Sequence, residues 1–63
     1  MQPSNILRLP QVIKKTGLSR STIYLLLSRG EFPAKIQLST RSMGFLENEV
    51  DDWLLSKAKK RSQ

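Results

Sequence analysis

The chain has 63 residues, with eleven Lys and Arg against five Asp and Glu, a formal net charge of +6 at pH 7, and neither cysteine nor histidine. So short a chain can enclose only one small core, which excludes a second domain, and without Cys or His neither a disulfide nor a zinc site can staple it. The basic excess favours a polyanionic partner through counterion release, while the longest apolar run, residues 23–27, is far below the roughly 20 residues that cross a bilayer.

In chain order, residues 1–5 are polar, contain Pro3 and are expected to form a flexible N-terminus; residues 6–56 are the domain, and residues 57–63 a basic C-terminal tail. Pro10 suits the first turn of a helix, where its missing N–H costs nothing, and Leu9, Val12, Ile13 and Thr16 share one face of the helix that follows. Gly17 stops it. Leu18 then plugs the turn and Ser19 is a good N-cap for a second helix, over about 19–29, whose run ends at Gly30. At about 100° per residue, Ile23, Leu26 and Leu27 form its buried stripe, while Ser21, Tyr24, Leu25 and Ser28 lie on the other side.

Pro33 bars further helix, and Phe32 before it is expected to tuck back into the core. Residues 34–38 then alternate Lys35 and Gln37 with Ile36 and Leu38, and a polar stretch over 39–42 precedes an apolar run over 43–46, which reads as a short hairpin. From about Glu47 a third helix carries Val50, Trp53, Leu54 and Lys57 on one face, acidic early and basic late, as the helix dipole favours. Phe32, Phe45 and Trp53 are all expected to be buried. The fold class is therefore mainly α with a small β-hairpin: a winged helix-turn-helix of three helices and a two- to three-stranded wing.

Two helices around a tight glycine turn form a DNA-binding unit when the outer helix carries short polar or basic residues near its start, which reach base edges. Here those are Arg20, Ser21 and Tyr24, with Ser19, Leu25 and Ser28 on the same exposed surface. Arg20 can bond guanine or phosphate, Ser21 a phosphate or base edge, and Tyr24 a phosphate through its hydroxyl. Arg41, among hydroxyl residues at the hairpin tip over about 39–43, suits a wing on the backbone or in the minor groove, or else pairs with a carboxylate of the third helix. Lys35, Lys14 and Lys15 are weaker phosphate candidates. No paired carboxylates converge, since Asp51 and Asp52 point about 100° apart on a helix, and no glycine-rich phosphate loop is present, so no catalysis, cofactor or metal is expected.

The run over 18–24, then Gly30-Glu31-Phe32-Pro33, Arg41-Ser42-Met43-Gly44-Phe45 and Glu49-Val50-Asp51-Asp52-Trp53-Leu54 closely resemble the AlpA family of prophage regulators, and more distantly MerR-like winged helices and phage excisionases. The resemblance covers almost the whole chain and implies a small DNA-binding regulator of a prophage or integrative element that acts on integrase genes or assists excision. The chain departs from the family at Leu25, where a charged residue is frequent; there Leu25 can touch a thymine methyl, contact a partner or lower specificity. The expected partner is double-stranded DNA, with integrase or RNA polymerase as candidate protein partners, in the cytoplasm on the nucleoid and away from membranes. No small-molecule effector is expected, because the effector domain and long dimerisation helix of full MerR proteins are missing; the state expected is a monomer or weak oligomer that loads cooperatively on DNA. Two other readings stay open: an excisionase-like factor that bends DNA beside an integrase, and a protein-interaction adaptor that uses exposed Leu25 and Leu55 without touching DNA.

Overall fold

A computed structural model describes residues 5–61. Of the expected flexible N-terminus, residues 1–5, the first four lie outside the described residues, as does the end of the basic tail, residues 62–63; Asn5 is described and hydrogen-bonds Glu47. The elements run β1 (Ile6–Leu7), α1 (Leu9–Thr16), α2 (Arg20–Ser28), β2 (Ile36–Gln37), β3 (Met43–Leu46) and α3 (Glu47–Lys60). The strands form one antiparallel sheet in the order β1-β3-β2, with Leu7 opposite Phe45 and Ile36 opposite Gly44. Three helices with this small sheet make a winged helix-turn-helix, as the sequence predicts.

The turn between α1 and α2 is built from local chemistry. Gly17 adopts φ 75° and its N–H donates to the Ile13 carbonyl at 2.8 Å, so α1 ends in a left-handed cap that only glycine takes without penalty. Thr16 Oγ1 donates to the Val12 carbonyl at 2.8 Å and accepts from Leu18 N–H at 3.2 Å. Ser19 then starts α2, its Oγ accepting from Thr22 N–H at 3.2 Å. At the far end of α2, Glu31 N–H donates to Leu26 O at 2.9 Å and Gly30 N–H to Leu27 O at 3.1 Å, with Gly30 at φ 68°. That pair of bonds is a Schellman motif, and it turns the chain towards Phe32.

Leu7, Leu9, Val12, Ile23, Phe32, Phe45 and Val50 form the buried core, with Ile13, Leu18, Leu26, Leu27, Met43, Trp53 and Leu54 packed around it. The apolar residues of the helical stripes read from the sequence therefore face inward, while Lys57, placed on the stripe of α3, is exposed. Trp53 departs from expectation: it is half-buried, because its indole lies at the core's margin under the loop that follows α2. Its ring meets Phe32 edge-on at 4.8 Å, its Nε1–H donates to the Glu31 carbonyl at 2.9 Å, and Lys57 Nζ stands 5.2 Å from its centre.

β1 was not foreseen as a distinct strand, and it completes both sheet and core. Two residues carry no readable alternation; only pairing with β3 reveals that Leu7 points inward. β1 also serves α3. Leu46 precedes that helix with no capping side chain, and the exposed first N–H, that of Glu47, is taken at 2.9 Å by the Asn5 carbonyl. Lys15 at the end of α1 completes the join, reaching Asp51 at 2.8 Å and Glu47 at 3.4 Å. α3 itself continues through Lys57, Lys59 and Lys60, residues the sequence alone assigns to the tail. Gly44 sits where β1 and the hairpin close over β3: a Cβ there would strike Ile6 Cγ2 and lie 3.2 Å from Leu7 O and 3.3 Å from Leu38 Cδ1.

Candidate nucleic-acid interface

Ser19 ends the turn and aims the first residues of α2 outward, so Arg20, Ser21, Tyr24, Leu25 and Ser28 are all exposed on one side while Ile23 is sealed in the core. The wing approaches the same side. Its tip is a tight turn in which Leu38 N–H donates to Ser42 O at 2.8 Å and Ser39 N–H to the same carbonyl at 3.1 Å, while the Gln37 amide caps the Ser39 carbonyl. This leaves Arg41 exposed at the tip.

Between wing and α2 lies an open groove of about 420 Å³. Of the ten residues expected to meet DNA, it gathers Arg20, Tyr24, Lys35 and Arg41; Ser19, Ser21, Leu25 and Ser28 lie outside it along exposed α2, and Lys14 and Lys15 outside it in the last turn of α1. All three of those serines are already engaged, Ser21 Oγ lying 3.3 Å from Ser19 Oγ. Ser19 Oγ donates to Thr22 Oγ1 at 2.9 Å besides capping the helix, and Ser28 Oγ donates to the Leu25 carbonyl at 2.7 Å. Thr40, Gln37 and Ser42 add hydrogen-bonding side chains to the groove. Arg8, not singled out from the sequence, also lines it; its only signal there was its place two residues before Pro10, at the mouth of α1.

The electrostatics are one-sided. Among the described residues no carboxylate lines this groove, and none of Arg8, Arg20, Lys35 and Arg41 makes an ion pair. Arg41 in particular does not pair with α3, whose Glu47 and Asp51 are held by Lys15. The remaining acids, Glu31, Glu49 and Asp52, line a separate groove beside Trp53. Lys15 is thereby moved from the DNA candidates to a structural bridge. Its hydrogen bond to Asp51 raises its pKa above that of an ordinary lysine; desolvation opposes this, and Glu47 reinforces it.

A family profile described as "Prophage CP4-57 regulatory protein (AlpA)" matches residues 5–58, nearly every residue the structure describes. The chain belongs to the AlpA family. Among its AlpA-like relatives, the "DNA-binding transcriptional activator AlpA" of Escherichia coli (strain K12) is 45% identical over 60 residues, covering 86% of each chain. The "Uncharacterized protein ORF88" of Enterobacteria phage P4 is 46% identical over 48 residues, covering 76% of this chain and 54% of that one. In this AlpA-family chain the matched segment spans β1, the helix-turn-helix, the wing and most of α3. Among the described residues, no helix is long and apolar enough to cross a membrane.

Proposed function

We propose that this AlpA-family chain is a sequence-specific double-stranded DNA-binding regulator of transcription from a prophage or integrative element, working in the cytoplasm on the nucleoid. The observation that carries this reading is the convergence of Arg20 and Tyr24 from α2 with Lys35 and Arg41 from the wing on one carboxylate-free groove. α2 enters the major groove, where Arg20 reads guanine and Ser21 a base edge or phosphate. Tyr24 and Ser28 face the backbone, and Leu25, 48% exposed, packs against a thymine methyl. The N–H groups of Arg20 and Ser21 at the start of α2, beside the Ser19 cap, add donors for phosphate. The wing over 39–43 lies on the backbone or in the minor groove through Arg41, with Lys35 behind it.

Residues 6–56 are the DNA-binding unit, and the basic residues from 57 onward add nonspecific attraction. The role is binding: no cofactor, metal or small-molecule effector takes part. The protein binds as a monomer or weak oligomer that loads cooperatively, with integrase or RNA polymerase as protein partners. The description of the E. coli relative as a transcriptional activator supports regulation of transcription over an excision role.

The test begins by enriching duplexes bound by the protein from a random-sequence pool, which yields a cognate site. Arg20→Ala, titrated against that site, should weaken binding by about 1–3 kcal/mol with an unchanged circular dichroism spectrum. A pool from which no sequence is enriched, or unchanged affinity in the variant, refutes the assignment.

A further inference from the structure

We infer that Arg8 is a phosphate contact, and that the groove between α2 and the wing carries one phosphodiester strand of the duplex past it. The inference rests on the DNA-binding reading above and adds to it a residue and a path for the backbone.

The groove has three sides. α2 supplies Arg20 and Tyr24, the wing supplies Lys35 and Arg41, and the start of α1 supplies Arg8, followed by Leu9 and Pro10. A duplex whose bases are read by α2, and whose backbone or minor groove is touched by the wing tip, has a sugar–phosphate strand between those two contacts. That strand has to pass through this space. The lining suits it, with four cations, several hydroxyl or amide groups and no carboxylate. A guanidinium presents two parallel N–H donors that match two phosphate oxygens.

Arg8 is also well placed to hold that position. Its backbone is extended, at φ −87° and ψ 164°, and its N–H is fixed by Gln11 Oε1 at 2.7 Å. Its carbonyl accepts from Val12 N–H at 3.0 Å in the first turn of α1. The main chain is anchored while the side chain is exposed and has no ion-pair partner among the described residues. A solubilising arginine has no need of such placement, beside three other cations in a groove whose described lining holds no acid.

Fluorescence anisotropy on the selected duplex and on a scrambled duplex of the same composition tests this with Arg8→Ala and Arg8→Lys. Since the anchor is through the peptide group, Arg8→Ala should melt as wild type does; Arg8→Gln serves the same comparison if it does not. Loss of one phosphate contact makes the dependence of log affinity on log salt shallower by about 0.9. The ratio of wild-type to Arg8→Ala affinity should then shrink about 3.5-fold between 50 and 200 mM salt, equally on both duplexes. Arg8→Lys, which keeps the charge, should retain the wild-type slope. Replacing phosphates one at a time by uncharged methylphosphonates should show one position that weakens wild type and leaves Arg8→Ala unaffected. Arg8→Ala with the wild-type slope, or with the wild-type response at every methylphosphonate, overturns the Arg8 assignment alone. Wild type that fails to bind the duplexes overturns the DNA-binding reading, and the assignment with it.

Discussion

Truncating Trp53 to alanine tests the packing that holds α3 to the helix-turn-helix. A fully buried Trp→Ala change costs about 3–5 kcal/mol, but this indole is half-buried and the cost is lower. Roughly 100 Å² of apolar surface covered by the indole gives about 2.5 kcal/mol at 25 cal/mol per Å², and a compact unfolded state reduces that figure. The edge-on contact with Phe32 at 4.8 Å adds about 1 kcal/mol. The hydrogen bond to the Glu31 carbonyl adds little, because Glu31 is exposed and water can replace the indole N–H. The total is about 2–3 kcal/mol, which at about 4–8 °C per kcal/mol for a domain of this size lowers Tm by about 10–20 °C. Thermal unfolding followed by circular dichroism measures it, and Trp53→Phe, which keeps a ring against Phe32, should lose only about 1 kcal/mol. A Trp53→Ala protein that melts cooperatively within about 3 °C of wild type would show that the indole does not bear on the core.

Arg41→Ala should weaken binding to cognate and scrambled duplexes by similar factors and make the salt slope shallower by about 1, whereas Arg20→Ala should narrow the gap between the two; wild-type behaviour of Arg41→Ala across the salt series would take the wing off the DNA. Gly17→Ala should cost about 1–2 kcal/mol although nothing lies within 4 Å of the new methyl, because φ 75° is penalised in any residue with a Cβ; an unchanged Tm would refute this. Lys15→Met should lower Tm with DNA-binding affinity unchanged once both proteins are folded. Since Asp51 raises the Lys15 pKa in the folded state, the bridge stabilises fully below the ordinary lysine pKa of about 10.4 and is lost as pH rises through the raised value. The Tm difference between wild type and Lys15→Met should therefore close above that pH, and a constant difference would place the effect elsewhere.

Helix positions and caps were legible because their causes lie within a few residues of one another. Gly17, Ser19, Gly30 and Pro33 punctuate the chain through their own backbone and side-chain chemistry, and the stripe of Ile23, Leu26 and Leu27 follows from helical geometry. The same geometry turned Arg20, Tyr24 and Leu25 outward, so much of the candidate site could be named before any contact was known. The four motifs likewise carried the resemblance to the family, now shown by the match over residues 5–58.

What the sequence left undecided was set by partners distant in the chain, from Trp53 and Glu31 to Asn5 and Glu47. β1 exists because Leu7 pairs with Phe45, and α3 gains its first hydrogen-bond acceptor from Asn5. Lys15 and Lys14 read alike as adjacent cations at the end of α1, yet only Lys15 meets Asp51 and Glu47. Arg8 joins the groove because the wing folds back beside α1, and Trp53 is only partly buried because it lies at the core's edge. Periodicity and capping report which way a residue points from its own element. Which charges are spent on one another and which remain for a ligand depends on how the elements meet, and that is a property of the tertiary structure alone.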